Sequence, residues 1–179
     1  MESYLGRRSF VCLAGASLAV TGCVGGMSVT SSFDEGDEIP VEHTCDGEGA
    51  SPPLEVENVP EGAETLAVVA DDPDAPGGTF VHWLLWNVSA EIGNVPGGVR
   101  NEPTLPSLGG ARQGENDADS VGYEPACPPE GDGEHTYRLT VHAVGEELSL
   151  GAGEGRDALE SALDGSTVGR ARLTGVYSR

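Results

Sequence analysis

The chain has 179 residues, a length that favours a single domain large enough to bury a hydrophobic core. It carries 30 acidic residues and only 9 basic ones, all arginine, for a net charge of −21. No basic stripe is present, which disfavours nucleic acid as a partner, and the even spread of acids indicates a solvated acidic surface suited to concentrated salt. Such a charge also permits disorder, but the apolar runs at 65–70 and 80–88 argue against it.

The N-terminal residues have the features of an export signal. Arg7 and Arg8 precede an apolar stretch over 10–20, which is too short to cross a bilayer core of about 30 Å but suits a signal peptide. The arginine pair resembles the signal of proteins exported already folded. Small residues before Cys23 resemble a lipoprotein cleavage site, with Cys23 as the lipidated N-terminus. The alternative is a plain signal peptide with an incidental cysteine.

The chain therefore divides into three predicted parts. Residues 1–22 form a signal peptide of the twin-arginine lipoprotein type, residues 23–38 form a lipidated tether rich in Gly, Ser and acids, and residues 39–179 form the domain. Removing the signal takes away one Glu and two Arg and leaves a net charge of −22, from 29 acidic and 7 basic residues. This organisation predicts a protein of the cell envelope, held on the outer face of the cytoplasmic membrane by its lipid anchor alone.

Cysteine usage agrees with that location. Cys12 leaves with the signal and Cys23 carries lipid, so Cys45 and Cys127 remain as a pair in an oxidising compartment. One interpretation is a disulfide between them. The other is two separate free thiols.

The domain itself has the pattern of an all-β protein. Apolar, β-branched and aromatic runs predict strands at 54–56, 65–70, 80–88, 136–144 and 172–177. One convincing helix is predicted at 156–163, "RDALESAL", where apolar residues recur at helical spacing before Gly165. With 27 Gly and 12 Pro supplying turns, the expected fold is an antiparallel Greek-key β-sandwich with a few short helices, one near the C-terminus.

A long segment over 92–129 shows no periodicity. A loop of this length within a compact domain is usually functional or disordered. Its Gly-Gly turns, Pro-Pro pair and Tyr indicate an ordered wall rather than a linker.

Four short pieces combine rigid turns with polar side chains. Alone, Asp72 and Asp74 fit turn hydrogen bonds after a buried strand, and His82 fits a core histidine satisfied by a carbonyl. His135 and Tyr137 are two apart, so they point to the same face of a strand. The pieces are "HTCDGEGASPPL" at 43–54, "DDPDAP" at 71–76, "FVHW" at 80–83 and "CPPEGDGEHTY" at 127–137.

Together these pieces resemble the phosphatidylethanolamine-binding protein family, in its prokaryotic Raf-kinase-inhibitor-like branch. The resemblance covers 28–179 and rests on "CDGEGASPPL", "DPDAPGGTFVHWLLWN", "QGEN", "GY", the Cys-Pro-Pro followed by His135 and Tyr137, and the closing "ALDGSTVGRARLTGVYSR". One departure lies at Pro125-Ala126, where the family usually has Gly-Pro. This departure leaves the backbone at the pocket lip open.

The resemblance implies a β-sandwich with a small pocket for phosphate-like anions. His82 is expected at the start of its strand, oriented by Asp72, with its other nitrogen toward the ligand. Strand alternation is expected to place Trp86 on the face of His82 and to turn Trp83 away, both tryptophans being core residues. The implied pocket residues are Asp72, Pro76, Phe80, His82, Cys127, Pro129, His135 and Tyr137.

The chemistry of those groups suits an anion. His82 and His135 donate hydrogen bonds and gain charge as the pH falls toward about 6.5, and the Tyr137 hydroxyl donates as well. Backbone N–H groups in the glycine-containing turn at 130–133 are expected to add a concave anion nest. Screening at molar salt, where the Debye length is about 3 Å, keeps the distant surface acids from opposing this binding.

We expect a binding or regulatory protein that catalyses no reaction and needs no cofactor, with a phosphorylated small molecule or lipid head group as its partner. One alternative is a protein inhibitor that blocks a protease or kinase through surface loops. A second is a hydrolase using Cys127 and His135 as nucleophile and base. A zinc site built from His82, His135 and Asp72 is a lesser alternative, since those ligand types suit zinc.

Overall fold

The computed structural model describes residues 26–179, so the predicted signal peptide and the predicted lipidation site at Cys23 lie outside the described residues. Short 3₁₀ turns form at Val41–His43 and Pro106–Leu108. The strands and the helix are β1 (Ser28–Thr30), β2 (Leu54–Glu57), β3 (Thr65–Asp72), β4 (Phe80–Ser89), β5 (Asn94–Val95), β6 (Thr104–Leu105), β7 (Ala111–Gln113), β8 (Glu134–Val144), α1 (Arg156–Leu163) and β9 (Thr167–Ser178).

Two antiparallel sheets form from these strands, as predicted. The larger has the order β6-β7-β4-β3-β8-β9 and the smaller the order β1-β2-β5. In the larger sheet β3, β4 and β7 lie side by side in chain order, and β8 returns through a long connection to pair with β3. This arrangement is a Greek key, and it brings the start of β8 next to the β3–β4 turn.

Both faces of the larger sheet are covered, which explains why β3 and β4 are nearly continuous apolar runs. The inner face packs against the smaller sheet, and the outer face packs against α1 and the loop before it. Trp83 belongs to the inner core and Trp86 to the outer one, and neither has exposed surface. Within residues 26–179, no helix is long and apolar enough to span a membrane.

The predicted tether over 23–38 is wrong from Ser28 onward. Strand β1 pairs with β2, and Val29, Phe33 and Ile39 are buried in the inner core. The backbone N–H groups of Gly36 and Ile39 donate to carbonyls of β9. These apolar residues are few and separated by Ser, Gly and acids, so they produce no periodic signal, although tertiary packing makes this segment part of the domain.

A candidate anion-binding pocket

All eight residues that the resemblance assigned to a pocket line a single cavity of about 220 Å³, which we call the pocket. It lies where the β3–β4 turn, the start of β8 and the segment around Cys127 meet. Sequence reasoning missed four further lining residues, which are Ala75, Glu124, Pro125 and Pro128.

His82 reaches the pocket because β4 contains a β-bulge. Ala70 pairs with Trp83 while Asp71 pairs with Val81, so His82 is an extra, unpaired residue. A bulge changes the direction of side chains on either side of it. The expectation that Trp83 points away and Trp86 shares the face of His82 is therefore wrong, since Trp83 lies in the same inner core as Tyr137 and Trp86 lies on the outer side.

The backbone of Glu124 holds the imidazole of His82. His82 Nδ1 lies 2.9 Å from the Glu124 carbonyl oxygen, and the Glu124 N–H donates to the His82 carbonyl at 2.8 Å. A carbonyl only accepts, so Nδ1 carries the proton and Nε2 of the neutral ring is an acceptor. Burial lowers the pKa of His82, despite the opposing Glu124 hydrogen bond and nearby carboxylates. The prediction that Asp72 orients His82 is wrong.

Asp72 instead orients His135. Asp72 Oδ2 lies 2.8 Å from His135 Nδ1, and both side chains are buried. On the other side of the ring, Asp132 Oδ2 lies 3.3 Å from Nε2. Burial opposes a charge on the imidazole, but the hydrogen bonds and negative charges of Asp72 and Asp132 outweigh it and raise the pKa of His135. The two histidines thus differ: His135 holds its proton to higher pH than an ordinary histidine, and His82 loses it at lower pH.

Asp72 also makes the turn hydrogen bond that its position predicted. Its Oδ1 accepts from the Asp74 N–H at 2.7 Å while Oδ2 faces His135. Asp74 Oδ2 in turn accepts from the Thr136 N–H at 2.9 Å, which ties the turn to the start of β8, and this bond lowers the pKa of Asp74. The turn geometry and the orientation of His135 are therefore coupled through one carboxylate.

The Tyr137 hydroxyl is a buried donor in the pocket wall with no hydrogen-bond partner within residues 26–179. The backbone of Cys127 lies near it without good hydrogen-bond geometry. The Tyr137 ring meets His82 edge-on with centroids 5.2 Å apart, and the ring centroids of Phe80 and His82 are 4.8 Å apart. Burial raises the pKa of Tyr137, so the hydroxyl keeps its proton and remains a donor.

A disulfide between Cys45 and Cys127 fixes the pocket lip, and this confirms the first interpretation of the cysteine pair. The Cys45 N–H donates to the Ala126 carbonyl at 3.1 Å, and the Tyr123 hydroxyl donates to the His43 carbonyl at 2.8 Å. Pro125, at the departure from the family pattern, lines the pocket. Gly49 has a φ of 67°, and a Cβ there would lie 2.8 Å from Pro125 Cγ, so a glycine is needed opposite this proline.

Buried amides support the wall behind His82, which confirms that the segment over 92–129 is ordered. Gln113 accepts from Trp83 Nε1 at 2.7 Å and donates to the carbonyls of Arg100 and Glu102. Asn116 donates to the Gly122 carbonyl at 3.0 Å. These residues come from "QGEN", and they hold the chain just before Glu124, whose backbone fixes His82.

The turn at 130–133 does not provide the predicted anion nest. Its Gly131 N–H donates to the Arg179 carbonyl, and its Asp132 N–H donates to the Pro129 carbonyl. The side chain of Asp132 supplies a carboxylate at this point instead. Within residues 26–179, no group of three or more His, Cys, Asp or Glu side chains is arranged to hold a metal ion.

Comparison with known proteins agrees with this geometry. Residues 29–178 match the profile of the family described as phosphatidylethanolamine-binding protein. A UPF0098 protein of Pyrococcus horikoshii is 34% identical over an alignment of 180 positions, which covers 96% of this chain and 90% of the relative. A UPF0098 protein of Aquifex aeolicus is 39% identical over 83% of this chain and 85% of its own.

Solved structures agree as well. Escherichia coli YbcL, described as a member of the mammalian PEBP family, matches with a TM-score of 0.79 and 29% identity over 87% of this chain and 99% of its own. A phosphatidylethanolamine-binding protein homologue from Chlamydia trachomatis matches with a TM-score of 0.77 and 34% identity over 86% of this chain and 98% of its own. The chain belongs to the phosphatidylethanolamine-binding protein family.

Proposed function

We propose that the pocket reversibly binds a small phosphate-type anion, carried by a phosphorylated small molecule or a lipid head group, and that the protein works as a binding or regulatory module. The observation that carries this proposal is the convergence of His82, His135 and the unpartnered Tyr137 hydroxyl on one small cavity. Burial strengthens each hydrogen bond made there.

The three groups complement a phosphomonoester. Protonated His135 and the Tyr137 hydroxyl donate to phosphoryl oxygens, and neutral His82 accepts through Nε2 from a P–O–H group. The proline and phenylalanine walls exclude water and hold their shape, which favours a compact tetrahedral group.

Binding without turnover is favoured over a Cys/His hydrolase. A thiolate is the nucleophile that such a hydrolase requires, and Cys127 is bonded to Cys45. Asp72 and Asp132 also bind His135 from both sides, which favours its cationic form over the neutral imidazole that a general base needs.

We also propose that the protein is held on the outer face of the cytoplasmic membrane through lipid on Cys23. The disulfide supports this location because such bonds persist in oxidising compartments. Fractionation of cells that produce the Cys23→Ser variant tests the anchor: the protein should leave the membrane fraction, whereas retention there would contradict it.

Calorimetric titration with inorganic phosphate, sulfate and glycerol 3-phosphate tests the pocket. We expect saturable binding of all three that the His135→Ala variant weakens, with no release of inorganic phosphate from the ester. Absence of binding would contradict the anion proposal, and ester hydrolysis would contradict the absence of turnover.

A further inference from the structure

A second positively charged site lies outside the pocket, in a chain that is otherwise strongly acidic. Of the seven arginines within residues 26–179, four line a single cavity of about 580 Å³ on the outer face of the larger sheet, beside α1. We call this cavity the arginine groove. Its four arginines are Arg138, Arg156, Arg170 and Arg172.

Two of these arginines already have carboxylate partners. Arg138 makes two hydrogen bonds to Asp71, each 2.7 Å long. Arg156 lies 3.5 Å from Asp71 and 2.7 Å from Glu160. The only other carboxylate among the lining residues is that of Asp164. The arginine groove therefore has one more arginine than carboxylates, while the chain as a whole carries −21.

Arg170 and Arg172 have no such partner among the residues that the structure describes. Within residues 26–179, neither guanidinium has a carboxylate oxygen within 4.0 Å. The two are separated by one residue on β9, so their side chains leave the same face about 7 Å apart and repel each other. Arg172 Nε donates to the buried Thr140 hydroxyl at 3.1 Å. This bond holds the guanidinium, and its two terminal amino groups have no partner in the described part of the chain and can donate to a ligand.

The positive charge of these two arginines also acts on His142, which lies beside them. On the sheet His142 pairs with Arg170, and Thr140 pairs with Arg172. Burial and the charges of Arg170 and Arg172 lower the pKa of His142 to about 4, although Glu160 opposes this shift. An anion bound between the two arginines would remove that repulsion.

We propose that Arg170 and Arg172 form a second anion site, which takes a phosphate-type group on the outer face of the sheet. Guanidinium forks match phosphoryl oxygens in pairs, and two free forks at this separation suit one tetrahedral dianion. This site is separate from the pocket, since Tyr137 and His135 alternate along β8 with Arg138 and Thr140 and so face the other side of the sheet.

Two sources supply that chemistry, a soluble phosphate compound and the phosphates of lipid head groups. Arg170 and Arg172 also line a second cavity, where the chain enters the domain, together with Met27, strand β1 and the carboxylates of Asp34 and Glu35. From Cys23 to Met27 the chain spans at most about 14 Å. Under the anchoring proposed above, lipid head groups are therefore within reach of these arginines.

The four histidines of the chain allow the two anion sites to be observed separately. We would record imidazole NMR signals of the full-length Cys23→Ser chain during titration with inorganic phosphate. His142 reports the arginine groove, His82 and His135 report the pocket, and His43 serves as the internal reference. We expect the His142 signal to shift saturably. Arg170→Gln or Arg172→Gln should weaken the phosphate affinity measured from that shift by roughly 10- to 150-fold, the range for hydrogen bonds to charged groups.

The matched control is Arg100→Gln, which removes the same charge from an exposed arginine beside β6, at the opposite edge of the larger sheet from β9. It should leave the His142 shift unchanged. A shift of His82 and His135 without one of His142 counts against the arginine groove and leaves the pocket intact. A shift of His142 alone supports the arginine groove and counts against the pocket.

Sedimentation with vesicles of anionic phospholipid distinguishes the sources, and the Cys23→Ser change removes any contribution from a lipid anchor. Loss of vesicle binding in Arg170→Gln and Arg172→Gln, but not in Arg100→Gln, identifies head groups as the source. A His142 shift with phosphate but no vesicle binding identifies a soluble phosphate compound. No His142 shift together with no arginine-dependent vesicle binding overturns the proposal.

Discussion

Asp72 Oδ2 lies 2.8 Å from His135 Nδ1, and this contact joins two residues that are 63 positions apart in the sequence. It connects the turn after β3 to the first residues of β8, at the point where the Greek-key connection returns. The same carboxylate accepts from the Asp74 N–H, so the orientation of the ring depends on the shape of the turn.

The buried ion pair makes folding stability depend on pH. Asp72 and Asp132 raise the pKa of His135 above its ordinary value of about 6.5, so the folded protein binds this proton more tightly than the unfolded chain. This contribution is complete below pH 6.5 and is lost as the pH rises through the raised pKa. The loss within that window is at most about 1.4 kcal/mol per pH unit. Urea denaturation from pH 6 to 9 measures it.

The Asp72→Asn variant tests the assignment of that loss. The amide keeps the size of the carboxylate and can still accept from the Asp74 N–H, but it removes the charge that raises the pKa of His135. Its stability should vary less with pH than that of the wild type in the same window. Asp119→Asn removes an equal charge from an exposed loop and serves as control. Equal slopes in wild type and Asp72→Asn would show that the pair does not cause the effect.

Removing either pocket imidazole should weaken anion binding. His82→Ala and His135→Ala each remove a hydrogen bond to a charged ligand, which costs about 1.5–3 kcal/mol of binding free energy. Inorganic phosphate near pH 6 is the suitable ligand for calorimetry, because its monoanion carries the P–O–H group from which neutral His82 accepts. Thr104→Ala, which changes an exposed residue of β6 at the far edge of the larger sheet, should bind phosphate as the wild type does. Unchanged affinity in both histidine variants would remove them from the site.

Asp132 competes with a bound anion for His135. Its carboxylate lies 3.3 Å from His135 Nε2, the nitrogen that a ligand would use, and its side chain is 47% exposed. Asp132→Ala should therefore bind sulfate more tightly than the wild type, by calorimetry at neutral pH. Glu130→Ala removes a carboxylate from the same turn, one that is 83% exposed and that pairs, within residues 26–179, only with Arg179, and it should change the affinity little. Weaker binding by Asp132→Ala would mean that Asp132 supports the site.

The Cys45–Cys127 disulfide should stabilise both the fold and the lip. It closes a segment of 82 residues, and removing a native disulfide typically costs 2–5 kcal/mol in small secreted domains. The Cys45→Ser/Cys127→Ser double variant should unfold at a lower temperature and bind sulfate more weakly, since Pro125 and Pro129 lose their covalent support. Intact-mass measurement should show the wild type lighter than its reduced form by two hydrogen atoms. Ready labelling of both thiols without reductant would contradict the bond.

Much of the fold was predictable because its signals are local. The run of apolar residues in β3 predicts a strand buried on both faces, and the apolar spacing of "RDALESAL" predicts α1 with the bounds observed. The pocket residues were predictable only through the family resemblance, since their pieces lie far apart in the sequence.

The remaining errors concern relations between distant segments. The bulge at His82 depends on how β3 pairs with β4, and no local pattern marks it. The partner of Asp72 depends on where β8 returns, so sequence order suggested His82 while the fold places His135 against it. Strand β1 has three residues and is stabilised by packing against β2 and β9, so its own sequence resembles a linker.

A crystal structure of the protein grown in sulfate tests the central claim most directly. We predict density for a tetrahedral ion in the pocket, within hydrogen-bond distance of His135 Nε2 and the Tyr137 hydroxyl, with the Asp132 carboxylate displaced from His135. A pocket that holds only water at saturating sulfate, with Asp132 still against His135, would contradict the anion-binding account.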